Sequence, residues 1–513
     1  MTTPEASRTS TPVVDLETGR LAGADESGVA VFRGVPYAAP PVGELRWRPA
    51  RPHPGWSGTR DATVDGPSAP QMYLPHGDPI LGGHGAPPFS DDCLTLNVWT
   101  PSVDDAARPV LVWIHGGGFV SGSGSLPIYS GRTLADNGDL VVVSVNYRIG
   151  ALGYLCLDDA DDADESANVW ITDLVAALHW VRQNIARFGG DPDRVTVAGQ
   201  SGGALSTAAL TGHPKARHLF QRAILQSPPL GLELPDRAAY ARHCAGFLDL
   251  LGTRDPAELR AMQWERLIHA TGAFFAATSR WGYWATPFLP VVDDATMARH
   301  PVESLLQDAD PDIDVLIGWT REEATFGFAL SEEYATATQE RVVRRLAETF
   351  GARDAATAYR AYAAARPGSR PVDVLTDLIT DELFRIPAVN VAEARAESGR
   401  PVWAYQFDYP TPAHEGLLGA THCLELPFVF DNFDQWAHAP FVADMPPQSR
   451  DALARAMHRA WISFARTGDP NHDGLPVWDR YDRPSRGTMR FDTITGIVHD
   501  PAEHSRGLFH RRG

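Results

Sequence analysis

Arg194-Val195-Thr196-Val197-Ala198-Gly199-Gln200-Ser201-Gly202-Gly203-Ala204 is the stretch on which the reading of this chain turns. Its first half, RVTVAG, reads as a short strand. Its second half is G-x-S-x-G, and GGALSTAAL after it has the small and apolar residues that start a helix. A serine between a strand and a helix sits on a tight turn with unusual backbone angles, so its neighbours must be small; Gly199, Gly202 and Gly203 all lack a Cβ. The turn lifts the Ser201 hydroxyl and aims the first N–H groups of the helix at the same point. The pentapeptide alone is also compatible with an ordinary turn; the strand before it and the helix after it favour a nucleophile.

Outward from this stretch, PVLVWI (109–114) and LVVVSV (140–145) are β-branched runs, apolar on both faces as a central parallel sheet requires. Residues 170–187 have helical spacing, which Gly189 and Gly190 end and Pro192 blocks. RAILQS (222–227), IDVLIG (313–318) and VWAYQF (402–407) read as further strands, and 452–466 as an amphipathic helix. Strands alternating with helices predict an α/β protein with a large, mostly parallel central sheet covered by helices on both faces, and a serine elbow on such a sheet is the arrangement of the α/β-hydrolase fold. No repeat or polar linker divides the chain. Residues 1–10 read as a disordered lead and 11–513 as a single catalytic domain. That domain carries a 60–90 surface loop and a 230–310 helical or irregular excursion over the sheet.

His115-Gly116-Gly117-Gly118-Phe119 directly follows PVLVWI. Attack on an ester leaves negative charge on the former carbonyl oxygen, and a backbone N–H aimed at that charge contributes about 2.7–4 kcal/mol. An HGGG loop beside a serine elbow supplies such donors; neither GxxxxGK[ST] nor a well-placed GxGxxG occurs.

The serine needs a base, and the base needs an anion to set its tautomer, in the chain order Ser, acid, His. With 18 histidines, order alone selects none. Arg321-Glu322-Glu323 follows a strand at the edge where sites form, and the pattern does not choose between the two glutamates. Thr421-His422-Cys423 lies beyond the strand VWAYQF, which makes His422 the leading base. Cys423 reads as a small filler and His458 as a packing or surface residue of the last helix.

Phe32-Arg33-Gly34-Val35-Pro36-Tyr37, Leu45-Arg46-Trp47, Asp91-Asp92-Cys93-Leu94, HGGGF, Asn146-Tyr147-Arg148, Phe188-Gly189-Gly190-Asp191-Pro192 and the serine elbow follow one another in order. In these landmarks the chain resembles the carboxylesterase type B family, which includes cholinesterases, animal carboxylesterases and bacterial para-nitrobenzyl esterases, from about residue 12 to 500. The resemblance implies Ser201 as nucleophile, Glu323 as the acid and His422 as the base. It also implies an oxyanion hole of Gly117, Gly118 and Gly202. The family usually has Glu before the serine, Ala after it and Gly after the acid. This chain has Gln200, Gly202 and Ala324, so a negative charge is missing beside the pocket and a weaker preference for cationic substrates follows.

The function implied is a serine carboxylic-ester hydrolase working through an acyl-enzyme on small to medium apolar or aryl esters. Acyl transfer, lactone or carbamate cleavage use the same triad, and a non-catalytic binding protein is the reading from another class. Of the aromatics Phe274, Phe275, Trp281, Tyr283, Trp284 and Phe288, we expect Trp281, Trp284 and Phe288, with Gln200, either to line the pocket or to lie in the core. No cofactor is called for and no metal is expected: HExxH is absent, and DDADDADE (158–165) lacks a Ca²⁺-loop pattern.

The formal net charge of −19 argues against nucleic acid and anionic membranes as partners. The partner expected is a small-molecule ester, and nothing distinguishes monomer from homodimer. Four cysteines without close spacing (Cys93, Cys156, Cys244, Cys423), no secretory leader and no long apolar run suggest a cytoplasmic bacterial protein.

Overall fold

The computed structural model describes residues 11–72, 78–83, 88–157, 167–293, 295–306 and 313–509. The lead at 1–10 and the acidic run 158–165 lie outside these residues. Among the described residues, fourteen strands form two sheets. β1 (Val13–Leu16), β2 (Gly19–Ala22) and β5 (Thr59–Asp61) make a small outer sheet. The large sheet is built from β3 (Ala24–Glu26), β4 (Val29–Pro36), β6 (Thr95–Thr100), β7 (Arg108–Ile114), β8 (Val141–Val145), β9 (Gly190–Gln200), β10 (Arg222–Gln226), β11 (Asp314–Thr320), β12 (Val402–Phe407), β13 (Gly487–Phe491) and β14 (Gly496–His499). Its order is β14-β13-β12-β11-β10-β9-β7-β8-β6-β4-β3. Every pair from β8 through to β13 is parallel. The antiparallel pairs are confined to the two edges.

The run PVLVWI explains why both faces are covered. Side chains alternate across a strand, so Val110, Val112 and Ile114 enter one core while Leu111 and Trp113 enter the other. The first core is closed by Trp170, Leu174, Leu178 and Val181 of the helix Val169–Asn184 and by Ala204 and Leu205 of the helix Gly202–Gly212. The second is closed by Leu453, Met457, Trp461 and Phe464 of the helix Pro447–Thr467. Burying a Leu- or Val-sized side chain stabilises by about 1.5–3 kcal/mol, so an apolar run with no polar face has nowhere else to go.

Two differences from expectation have local causes. The helical segment ends at the Gly189 cap, φ 79°, as expected, but the chain passes straight into β9 at Gly190, so Pro192 lies near the start of a strand, where its missing N–H is tolerated. The helical layer is also larger than predicted. Besides the helices Arg237–Leu251, Pro256–Ala261, Trp264–Thr278 and Pro301–Leu306 of the 230–310 region, Gln339–Phe350, Ala355–Ala365 and Pro371–Thr380 pack on one another around Leu346, Tyr362 and Leu375 in a separate small core. Among the described residues no helix is long and apolar enough to cross a membrane.

Candidate active site

The carboxyl ends of β7, β9 and β11 and the loop after β12 converge at the base of a cavity of about 380 Å³. Ser201 follows the last residue of β9, with φ 56° and ψ −127°, and caps the helix Gly202–Gly212. Those angles are strained for an L-residue, at a cost on the order of 1–3 kcal/mol. The surroundings hold them: the Ser201 N–H donates to the Gln226 carbonyl at 2.9 Å. Glycine is required beside it. A Cβ on Gly199 would lie 2.4 Å from the Gly203 carbonyl oxygen, and one on Gly203 would lie 2.1 Å from that of Ile114.

The HGGG loop meets the elbow from β7. Gly117 adopts φ 122° and Gly118 φ 59°, both natural to glycine. Ser121 N–H closes the turn on the Gly117 carbonyl at 3.0 Å. Among the described residues, the N–H groups of Gly117, Gly118 and Gly202 donate to none. The loop is braced from below by the Asn146-Tyr147-Arg148 landmark. Tyr147 donates to the His115 carbonyl at 3.0 Å and stacks on its ring. Asn146 Oδ1 accepts from the Gly124 N–H at 2.7 Å. Burial holds the His115 imidazole down to about 4, which keeps it neutral beside the site.

Glu322 and Glu323, inseparable by pattern, part company in space. Glu322 Oε2 accepts from the Ala420 N–H at 2.9 Å and ties down the loop that carries His422. Glu323 is fully buried; Oε1 accepts from the Thr320 N–H at 2.7 Å and Oε2 lies 2.5 Å from His422 Nδ1. Burial pushes the His422 ring down, while the Cys423 sulfur and the Glu323 carboxylate push it up more, so it stays well above the usual range. His422 Nε2 lies 3.2 Å from Gln200 Nε2.

Around the histidine, Phe384 and Phe326, neither of them expected from the sequence, join the expected Trp284: Phe384, Trp284 and Phe326 have ring centroids 5.3, 5.5 and 5.9 Å from that of His422. Phe384 comes from a π-helical turn at Asp381–Arg385, for which the sequence carried no signal beyond an isolated aromatic. Glu425, three residues after His422, is another omission. It is buried with Oε1 accepting from Gln226 Nε2 at 3.2 Å, and burial together with Glu323 raises its carboxyl to about 7.

Of the residues expected at the pocket, Gln200 and Trp284 line the cavity, whereas Trp281 and Phe288 do not. Phe288 is fully buried against Phe247 and Phe274 in the core. Trp281 stacks on Tyr334 and under Arg341. Helix and turn geometry, which spacing in a loop does not reveal, decides between neighbours this close. Phe275, Tyr283, Phe328, Leu126 and Ile128 supply apolar wall instead, and Gln71 from the 60–90 segment closes one side. Among the described residues no group of three or more His, Cys, Asp or Glu is arranged to hold a metal ion.

The model of the carboxylesterase family matches residues 10–505. The chain belongs to the carboxylesterase family. This carboxylesterase is 50% identical over 470 residues to phenmedipham hydrolase of Pseudarthrobacter oxydans, covering 92% of this chain and 93% of that one. It is 35% identical over 508 residues to para-nitrobenzyl esterase of Bacillus subtilis (strain 168), covering 98% and 99%. A crystal structure of a Geobacillus stearothermophilus carboxylesterase superposes with a TM-score of 0.85 at 37% identity, over 97% of this chain and 99% of that one. The carboxylesterase is thus an α/β-hydrolase-fold enzyme that hydrolyses esters.

Proposed function

We propose that Ser201, His422 and Glu323 are the nucleophile, base and acid, and that Gly117, Gly118 and Gly202 hold the oxyanion. The observation that carries this is the convergence of His422 on Glu323 at 2.5 Å at a cavity also lined by the strained Ser201, with the N–H groups of Gly117, Gly118 and Gly202 donating to none of the described residues. His422 takes the Ser201 proton as the hydroxyl attacks the ester carbonyl. Glu323 fixes the proton on Nδ1 and balances the ring's charge. The oxyanion gains about 2.7–4 kcal/mol from each aimed donor. The alcohol leaves with the proton from His422, and water activated by the same ring releases the acid.

The apolar wall of Trp284, Phe326, Phe328 and Ile128 supports small to medium apolar or aryl esters as substrates. A second reading is cleavage of aryl carbamates, favoured by the 50% identity to phenmedipham hydrolase. It uses the same acyl-enzyme, with a carbamoyl group on Ser201. The whole of 11–513 serves as one catalytic domain, the 60–90 and 230–310 regions contributing the cavity wall through Gln71 and Tyr283. Work in a bacterial cytoplasm is supported by the four cysteines, none of which joins a disulfide among the described residues.

Steady-state hydrolysis of para-nitrophenyl esters of graded acyl length, beside para-nitrophenyl N-methylcarbamate, tests the reading. Ester turnover abolished by Ser201→Ala is expected, with the acyl-length optimum sizing the pocket; activity retained in Ser201→Ala would overturn the assignment.

A further inference from the structure

Gln200 is 1% exposed, ends β9 immediately before the serine, and points its amide nitrogen at the free edge of the catalytic ring. The opposite edge is committed: Nδ1 sits 2.5 Å from the Glu323 carboxylate and therefore carries a hydrogen. In the neutral ring, Nε2 then has only a lone pair. An amide nitrogen has hydrogens and no lone pair to offer, so the 3.2 Å contact is favourable with the neutral ring and unfavourable with the imidazolium, where two N–H groups would face each other. The amide oxygen is turned the other way. It lies 3.0 Å from the point where a Cβ on Gly116 would sit, against the oxyanion loop, and accepts from no described residue.

From these contacts we infer that Gln200 is a positioning residue: its amide donates to His422 Nε2 and opposes the imidazolium that Glu323 favours, which lowers the pH at which the ring can accept the Ser201 proton. This rests on the roles proposed above for Ser201 and His422.

Every other group around the ring is either apolar or acts in the opposite direction. Trp284, Phe326 and Phe384 cover its faces and bring no charge. The titratable neighbours are Glu323 at Nδ1, Cys423 next in the chain and Glu425 behind them. Glu323 favours the imidazolium, and Cys423 and Glu425, as anions, would add to it. Gln200 is the neutral counterweight. A carboxylate in its place would accept from a protonated Nε2, store the proton between two acids, and leave no base at mildly acid pH.

The test is the pH dependence of kcat/KM for para-nitrophenyl butyrate in wild type, Gln200→Glu and Gln200→Met, with Ser201→Ala beside them. Glu and Met are close in size to Gln, and phosphonate labelling of Ser201 at alkaline pH reports that each variant is folded and competent. An added charge beside a titrating ring shifts it by about 1–3 units, so the acid limb of Gln200→Glu is expected to rise by at least about one unit, with about tenfold lower kcat/KM on the acid side and recovery at alkaline pH. Gln200→Met, which removes the donor without adding charge, should fall between. Superposed acid limbs in all three proteins, with Ser201→Ala inactive, would overturn the role of Gln200 alone. An active Ser201→Ala would overturn the serine reading and this inference with it. A uniform loss of kcat/KM at every pH, the mark of a merely structural residue, also counts against the proposal.

Discussion

At the scale of single residues, the site depends on which atoms of two adjacent glutamates reach which partners. Glu323 contacts the histidine, and Glu322 holds the loop that presents it, through the Ala420 N–H. Conversion to the amide separates these tasks. Glu323→Gln removes the charge that balances the imidazolium and offers the wrong tautomer partner, and we expect kcat to fall by about 10³–10⁴-fold with KM little changed, by analogy with other triads that lose their acid. Glu322→Gln keeps an acceptor for the Ala420 N–H and should lose less than about tenfold. A kcat for Glu322→Gln as low as that of Glu323→Gln would reverse the assignment. The residue pattern alone left this distinction open, and only the family resemblance pointed to Glu323: neighbouring residues point apart, and the pairing of 322 with 420–421 decides which way.

At the scale of elements, the oxyanion loop is held by the landmark after β8 rather than by its own glycines. Arg148, next to the Tyr147 that supports His115, is buried and pairs with the equally buried Asp173 of the helix Val169–Asn184 at 2.6 Å. Asp173 also accepts from the Arg148 N–H at 3.1 Å, so one carboxylate pins both side chain and backbone. Breaking such a pair by removing one charge strands the other, at about 3–5 kcal/mol. Asp173→Asn should therefore lower stability by about that amount in urea unfolding, and reduce kcat through a loosened Gly117–Gly118 turn before the fold is lost. Unfolding indistinguishable from wild type would show that the pair contributes nothing net. The motif was legible as a landmark, but its partner, 25 residues on within a helix, was not.

At the scale of the whole molecule, Glu425 links the site to the core. Its Oε1 accepts from Gln226 of β10, whose own Oε1 accepts from Trp461 of the helix Pro447–Thr467. Burial first, and then Glu323, raise the Glu425 carboxyl from 4.5 to about 7, so the folded state binds its proton more tightly than the unfolded chain does. The stability this contributes is complete below pH 4.5 and is lost as pH rises toward 7. Converted at 1.36 kcal/mol per unit, the loss is on the order of 3 kcal/mol. Glu425→Gln cannot ionise, so its unfolding free energy should decline less than that of wild type across this window, and the two curves should part as pH rises. Parallel curves would mean that Glu425 titrates alike in the folded and unfolded chain.

Local chemistry carried much of the reading. Valine- and isoleucine-rich runs with no polar face demand a doubly covered parallel sheet, and a serine among glycines between strand and helix demands an elbow; both follow from sterics and burial within a few residues. The order of motifs then named Ser201, His422 and the HGGG loop. Tertiary structure alone decided the rest: that Phe288 belongs to the core while Trp284 faces the cavity, that Phe384 joins the histidine from another segment, and that Gln200 meets His422 across 222 positions. Those outcomes rest on distances between side chains remote in sequence. Periodicity states which residues are apolar or turned, but only the packed sheet states what each one touches.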